Sequence, residues 1–502
     1  MALAQTIRIV SALVEIGLSS LLLVGCGDHA ADKDASATKD RPDLGDIVIP
    51  TVDKDQIGNA VFDEKQVQSY YLTFSDEEYA RLMDFSTLLI DPYTVNEDRY
   101  VEAALKIGDT ELPAIGVRFK GSYSIWGCVD QGTQQQISRV ESYFGDIDVC
   151  QRFSLKLDFD RFDDRLRVDG LKKLNLHAMA ADPSKMRERL GYALFREMGI
   201  PAPRAVHARV YINGKYHGLF AAVEQVDGRF TANRFPAGGD GNLYKDVWPT
   251  KRVTETYLKT KALKTNESSV GVNVSDYLKF QDAMTGANEA NFASRMAPFL
   301  NFDELARYIV VDRAINNFDG IMAFYYGPNW GPDNHNFYWY DVGDGRFTLI
   351  PWDFDKVFWY PEPYFWSDNA AHSNGSVPNW NVKTKDCDGH TETFDLTIIR
   401  NGARLDGTME MKEIDCNPFL KLLRSQIYDR QRAIAEAFIA GPFSEASVTA
   451  KLQTWQAQIA DAVAEDPLMD QAHWQTWVQN LRADLPKFQA NLRLMMNGLI
   501  SE

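Results

Sequence analysis

The sequence predicts a mixed α+β protein, with its strands gathered in the first half of the chain and its helices in the second. Two observations predict this. Between residues 70 and 226, apolar side chains alternate with polar ones at the period of half-buried strands, broken by Gly-containing turns. From about residue 274 the apolar spacing lengthens to that of amphipathic helices, and residues 417–498 are helical in pattern and rich in Leu, Ala and Trp. With 502 residues, 45% of them hydrophobic, the chain is long enough for a large core or two lobes. A formal charge of -17 argues against a nucleic-acid partner, which would select a basic surface.

The first elements are short. Tyr70–Phe74 reads as a strand, and Ser75 caps a helix that carries Glu77 and Glu78 in its first turn. Val101–Ile107 and Leu112–Lys120 form a hairpin over Gly108-Asp109-Thr110. Lys120-Gly121-Ser122 follows, either a plain turn or a place where backbone N–H groups approach a phosphate. Arg152–Phe159 alternates cleanly and puts Phe153, Leu155, Leu157 and Phe159 on one side. Lys156 falls on the other, either as a solvent-facing lysine or as a phosphate ligand. Asp182-Pro183 opens a helix that runs to Gly199, with Asp182 as its cap. Ala208–Ile212 and Tyr216–Val223 are strands across Asn213-Gly214, a strong hairpin signal, and Glu224 closes the second strand.

The second half supplies a helix over Phe302–Ile315 and a hairpin, His335–Tyr340 and Arg346–Ile350, over Gly343-Asp344-Gly345. The second strand of that hairpin runs into Pro351-Trp352-Asp353-Phe354-Asp355. If the strand continues, alternation sends both carboxylates to one side. There they repel each other unless a cation sits between them. The surrounding aromatics (Phe347, Trp352, Phe354, Phe358, Trp359, Tyr360) argue against a freely solvated loop. Residues 361–416 read as irregular.

The N-terminus reads as an export signal. A single basic residue, Arg8, precedes the short apolar run Ile16–Val24, and Leu23-Val24-Gly25-Cys26 resembles the cleavage box of bacterial lipoproteins. Cleavage there makes Cys26 a lipidated first residue, so the protein is expected in the cell envelope, touching the membrane through its lipid alone. Four further cysteines favour two disulfides, Cys128–Cys150 and Cys387–Cys416 being the pairing that closes short loops. No C-x-x-C spacing supports a zinc site.

Taken together, Asn317-Phe318-Asp319, His335-Asn336-Phe337-Tyr338-Trp339-Tyr340 and Pro351-Trp352-Asp353-Phe354-Asp355 resemble the CotH family, the spore-coat-protein-H-like atypical protein kinases. Asp182-Pro183-Ser184 and the hairpin ending at Glu224-Gln225-Val226-Asp227 match further segments of that pattern. The resemblance covers roughly residues 65–420. It implies a two-lobed protein-kinase-like fold: signal peptide 1–25, disordered tether 26–60, β-rich N-lobe 61–226, C-lobe with the catalytic site 227–416, and a C-terminal helical region 417–502.

What the resemblance implies about chemistry is transfer of phosphate from ATP to a protein substrate, with Mg²⁺ as cofactor. Lys156 would hold the nucleotide phosphates, with Lys120, Ser122 and Glu224 as further nucleotide contacts. Asp319 would orient the attacking hydroxyl, and Asn336, Asp353 and Asp355 would bind the metal. The usual kinase motifs G-x-G-x-x-G and H-R-D are absent, and spacing alone does not assign the acidic partner of the lysine: in the helix after Asp182, Glu188 points away from the apolar face and Glu197 falls within it at the frayed end. Two other readings stand beside this one. One is transfer of AMP from ATP at the same site. The other is a non-catalytic surface protein that binds a protein or carbohydrate through loop tryptophans Trp248, Trp330, Trp366 and Trp380.

Overall fold

A computed structural model describes residues 53–497 and 500–501, apart from 92–93, 122–124, 126–127, 129–150, 236, 268, 270, 318, 323, 328–329, 359–379, 381, 384–390, 401–402 and 413. Cys26, Ser122, Cys150, Cys387, Trp359, Tyr360 and Trp366 therefore lie outside the described residues. So do the stretches expected to be signal peptide and, nearly all of it, tether.

Seven strands close into a barrel: β1 (Gln68–Thr73), β2 (Val101–Ile107), β3 (Thr110–Lys120), β4 (Ser154–Asp158), β5 (Lys173–His177), β6 (Ala205–Ile212) and β7 (Lys215–Glu224). Their order around the barrel is β1-β2-β3-β4-β5-β7-β6, and β6 returns parallel to β1, pairing Gln68 with Ala208 and Leu72 with Ile212. All other pairs are antiparallel. The expected turn at Asn213-Gly214 forms with both residues at positive φ, 47° and 75°. The Asn213 carboxamide oxygen also accepts from Phe74 N–H at 2.7 Å, tying the turn to β1. After β1, Ser75 caps α1 (Asp76–Leu82) by accepting from Glu78 N–H.

Period-two alternation divides the barrel wall. Val117, Phe119, Leu155, Leu157, Leu174, Leu176, Phe220 and Ala222 point inward into one apolar core. Arg118, Lys120, Lys156, Asn175 and His177 consequently point out. The cross-strand register aligns them, Arg118 opposite Lys156 and Lys156 opposite Asn175. A second, larger core covers part of this outer face. It contains Ala221 and Val223 of β7, Leu190, Tyr192, Leu194 and Phe195 of helix α2 (Arg187–Glu197), and most of the apolar residues beyond.

That second core is built on a three-stranded sheet, β8 (Leu243–Lys245), β9 (Phe337–Asp341) and β10 (Phe347–Pro351), in that order. It is flanked by α3 (Gly228–Arg234), α4 (Ser275–Thr285) and α5 (Phe302–Ala314). Helices α6 (Pro418–Ala440), α7 (Glu445–Glu465), α8 (Gln471–Ala483) and α9 (Leu485–Met495) follow, and α6 and α9 pack on α5. The α7 end is fastened to the barrel. Arg152 Nη1 and Nη2 donate to the two oxygens of Asp466 at 2.8 and 2.5 Å, and Leu219 N–H donates to the same carboxylate at 2.9 Å. The guanidinium lies where Gly218 has no side chain; a Cβ there would sit 2.2 Å from Arg152 Cζ.

Several expectations need correction. Helix α2 begins at Arg187, not after Asp182, because Lys185 turns left-handed (φ 61°) and breaks the first turn. Asp182 still serves the helix start from outside it: one carboxylate oxygen accepts from Ser184 N–H and Oγ, the other from Arg187 N–H at 2.7 Å. Residues 391–412, read as irregular, form a long hairpin, Thr391–Arg400 with Ala403–Lys412, that pairs with Phe324–Gly327. Trp248 and Trp380 are buried (2% and 0% exposed), so neither can serve a surface-binding role. Among the described residues no helix is long and apolar enough to cross a membrane.

Candidate active site

The stretch around Pro351 is shaped by a strand that stops. β10 ends at Pro351, and Asp353 adopts a left-handed conformation (φ 58°), so the alternation expected to carry both carboxylates to one side does not continue. Packing replaces it. Phe354 is fully buried against Tyr192 and Phe195 of α2, with ring centroids at 4.6 and 5.2 Å. The Asp353 N–H donates to Tyr192 Oη at 3.0 Å. With Phe354 anchored and the backbone held, Asp353 and Asp355 remain within electrostatic reach of one another. Burial first, then the Asp353 carboxylate, pushes Asp355 well above the usual carboxylate range, and Asp319 and Glu188 push the same way.

Asp319 is delivered by the end of α5. Asp312 accepts from Arg313 Nη2 at 2.5 Å and from the Asn317 carboxamide at 2.9 Å, and Arg313 also donates to the Asn317 carbonyl. This buried network fixes the loop that leads to Asp319. Its carboxylate is then shared by an ammonium and an imidazole: Lys356 Nζ lies 3.0 Å from Oδ2 and His335 Nε2 lies 3.2 Å from Oδ1. Burial pulls His335 down, but the Asp319 charge outweighs it, and the imidazole ends above its ordinary value. Asn336, also left-handed (φ 68°), donates from its carboxamide to the Asp319 carbonyl at 2.8 Å.

The outer barrel wall faces these acids with cations. Lys156 is buried, 7% exposed, so the reading of a solvent-facing lysine does not hold. The second core covers this part of the wall. Among the described residues its ammonium makes no hydrogen bond or ion pair. Lys120 lies within electrostatic reach of Asp353, Glu188 and Lys156, and its ammonium sits 5.3 Å over the Trp352 ring; burial draws it below the ordinary lysine value.

Glu224 takes no part in this cluster. Its buried carboxylate accepts from Arg204 N–H, Nε and Nη2 and from Arg234 Nη2, at 2.5–3.1 Å. Four donors occupy it, and its work is to tie β7 to β6 and α3. Glu197 is likewise elsewhere, paired with Lys451 at 3.0 Å. The acid that α2 offers to the site is Glu188, fully buried and bound to His177 Nδ1 at 2.7 Å. Helical spacing had set Glu188 opposite the apolar face of its helix; that polar side is the one turned to the barrel wall. His177 could have been found by extending the outward phase of Lys173 and Asn175 by two residues. Lys356 and His335 carry no sequence signal beyond adjacency to the acid motif.

Cations on a barrel wall thus face a cluster of carboxylates at the junction of two apolar cores. A family model described as CotH kinase protein matches residues 117–488, well over half of the 502 residues, and the chain belongs to that family. Over 230 residues it is 29% identical to the inner spore coat protein H of Bacillus subtilis (strain 168), covering 42% of this chain and 59% of that protein. A stretch of 69 residues, 14% of this chain, is 38% identical to 20% of the inner spore coat protein H-like protein of the same organism. The chain thus spans less than two thirds of the length of either relative.

Proposed function

We propose that this protein is an exported CotH-type kinase that moves the γ-phosphoryl group of ATP onto a hydroxyl of a protein substrate. The observation that carries the reading is the juxtaposition of two lysines, half-buried Lys120 and buried Lys156, with Asp319, Asn336, Asp353 and Asp355. Phosphoryl transfer asks protein groups mainly for positioning and charge: cations for the phosphates, a metal clamp, and a carboxylate for the nucleophile.

The residues fit a divalent cation. A carboxylate pushed up by its neighbour, as Asp355 is by Asp353, regains its charge when a cation lies between the two. Asn336, Asp353 and Asp355 would hold Mg²⁺, which when bound neutralises phosphate oxygens. Lys156, buried and with no hydrogen bond or ion pair among the described residues, is matched to an anion. Asp319 is aimed by Lys356 and His335 and accepts the hydroxyl proton as the substrate oxygen bonds to the γ-phosphorus. The bond from that phosphorus to the bridging oxygen breaks, and ADP leaves. AMP transfer would use the same residues, so incubation with α- and γ-labelled ATP and candidate proteins separates the two reactions.

The site is tested by two substitutions. Asp353→Asn is expected to abolish Mg²⁺-dependent ATP binding without lowering the melting temperature of the apo protein. Asp319→Asn is expected to spare binding and to slow transfer by on the order of 10²–10⁴. Calorimetric titration with ATP and Mg²⁺ checks both, and wild-type affinity in Asp353→Asn refutes the reading. The lipid anchor at Cys26 is part of the same proposal, placing the enzyme and its substrate in the cell envelope. An unmodified Met1 in the mass spectrum of the membrane-extracted protein overturns it. The two disulfides, Cys128–Cys150 and Cys387–Cys416, are proposed likewise, and alkylation of four thiols in the non-reduced mature protein would exclude them.

A further inference from the structure

Beyond the nucleotide site, we propose that His177, Glu188 and Asp353 form a binding site for a first-row transition cation of the zinc or manganese class, filled in the absence of nucleotide. One donor atom from each residue lies within 4.8 Å of the others. Three elements that are distant in sequence converge to make it: the end of β5, the first turn of α2 and the turn after β10.

Two of the three side chains are buried with unspent coordinating capacity. His177 is 4% exposed and Glu188 is 1% exposed. The contact between His177 Nδ1 and Glu188 Oε1 accounts for one atom of each. His177 Nε2 and Glu188 Oε2 are both shut off from solvent, and neither has a hydrogen-bond partner. A buried, unpaired carboxylate oxygen carries a desolvation cost. Folding tolerates that cost most readily where a ligand relieves it. A cation entering at this contact displaces the proton shared there and is met by His177 Nδ1 and by Glu188, whose Oε2 has no other partner among the described residues.

The donor set decides the class of ion. Mg²⁺ and Ca²⁺ take oxygen donors and leave imidazole aside, whereas Zn²⁺ and Mn²⁺ accept an imidazole nitrogen beside two carboxylates. Trp352 closes the site on one side, its ring meeting His177 edge-on at a centroid distance of 6.0 Å. Lys120 is the competitor: its ammonium lies within electrostatic reach of both Asp353 and Glu188. An incoming cation must outbid that ammonium, so removing the lysine charge should tighten metal binding.

The test uses the full mature chain, stripped with chelator and free of nucleotide, titrated calorimetrically with ZnCl₂, MnCl₂ and MgCl₂. The expected result is one Zn²⁺ or Mn²⁺ per chain, with Mg²⁺ at least tenfold weaker. His177→Ala and the isosteric Glu188→Gln should each weaken Zn²⁺ binding at least tenfold, and Lys120→Met should strengthen it. Should His177→Ala fail to fold, the rise in melting temperature that Zn²⁺ gives wild type, and its loss in Glu188→Gln, carry the same information. Unchanged Zn²⁺ affinity in both Glu188→Gln and His177→Ala overturns the proposal. So does loss of binding in Asp355→Asn alone, because the ion would then occupy the oxygen-donor site. Because no ATP is present, failure of the kinase reading leaves this result intact, and the reverse also holds.

Discussion

Replacing Asp466 with Ala strands a guanidinium in the interior. Arg152 is 5% exposed and Asp466 accepts from both of its terminal nitrogens, as well as from Leu219 and Leu468 N–H. The substitution removes the counter-charge while Gly218, whose lack of a side chain made room for the guanidinium, keeps it in place. An uncompensated buried charge costs about 3–5 kcal/mol, a large share of the 5–15 kcal/mol that holds typical domains folded. The loss should extend toward the site. Lys185, in the turn that starts α2, lies within electrostatic reach of Arg152 and Asp466, and Trp474 of α8 donates to the Ser184 carbonyl at 3.0 Å. The C-terminal helices therefore brace the turn that aims Glu188. Urea unfolding of wild type, Asp466→Ala, Arg152→Met and the double variant closes a double-mutant cycle. The double variant should be less destabilised than the sum of the singles by at least 1.5 kcal/mol, because it leaves no orphaned charge. A cost below about 1 kcal/mol for Asp466→Ala, or strict additivity, refutes the account.

Two further predictions concern pH and packing. His207 accepts from Arg189 at Nδ1 and donates from Nε2 to the Lys185 carbonyl; burial, then the Arg189 charge, holds it down to about 3. Since an unfolded histidine titrates near 6.5, the unfolded chain binds the extra proton first as pH falls. This contribution is therefore complete above about pH 6.5 and is lost progressively toward pH 3, roughly 2–3 kcal/mol of it by pH 4.5. In His207→Gln the loss of stability between pH 7.5 and 4.5, measured by urea unfolding, should be smaller by that amount; an identical loss in both proteins contradicts the assignment. Gly191→Ala builds a Cβ 2.9 Å from Phe354 Cδ2, in a ring already enclosed by Tyr192 and Phe195. The overpacking should cost about 1–3 kcal/mol, partly offset by the helix preference of Ala. By shifting Phe354 it should also weaken metal binding at Asp353, which calorimetry against wild type reads directly; unchanged affinity would show that Phe354 does not position the acids.

The local elements were legible in the sequence because their causes are local. Alternation in Ser154–Asp158, the Ser75 cap, the Asn213-Gly214 turn and the apolar stripe of Phe302–Ala314 each depend on residues a few positions apart. The pairing of Thr391–Arg400 with Ala403–Lys412 has a local cause as well, since polar and apolar residues alternate in Thr393–Ile398. The residues Asp319, Asn336, Asp353 and Asp355 stand out in the sequence as short motifs in a fixed order.

What only the tertiary structure decided is whatever depends on burial and on residues far apart. Barrel closure pairs Gln68 with Ala208, and no local pattern announces a partner that distant. Lys156 and Glu224 look alike in sequence, polar residues in or ending a strand. The fold buries one with no hydrogen bond or ion pair among the described residues and gives the other four donors, because the second core covers part of the outer wall while Arg204 and Arg234 close over Glu224. The left-handed turn at Asp353 likewise follows from Phe354 finding its pocket against α2, a packing choice that outweighs the strand alternation preceding it. His177 and Glu188 meet for the same reason. Periodicity tells which way a side chain points along its own element, and only the packed fold determines what stands opposite.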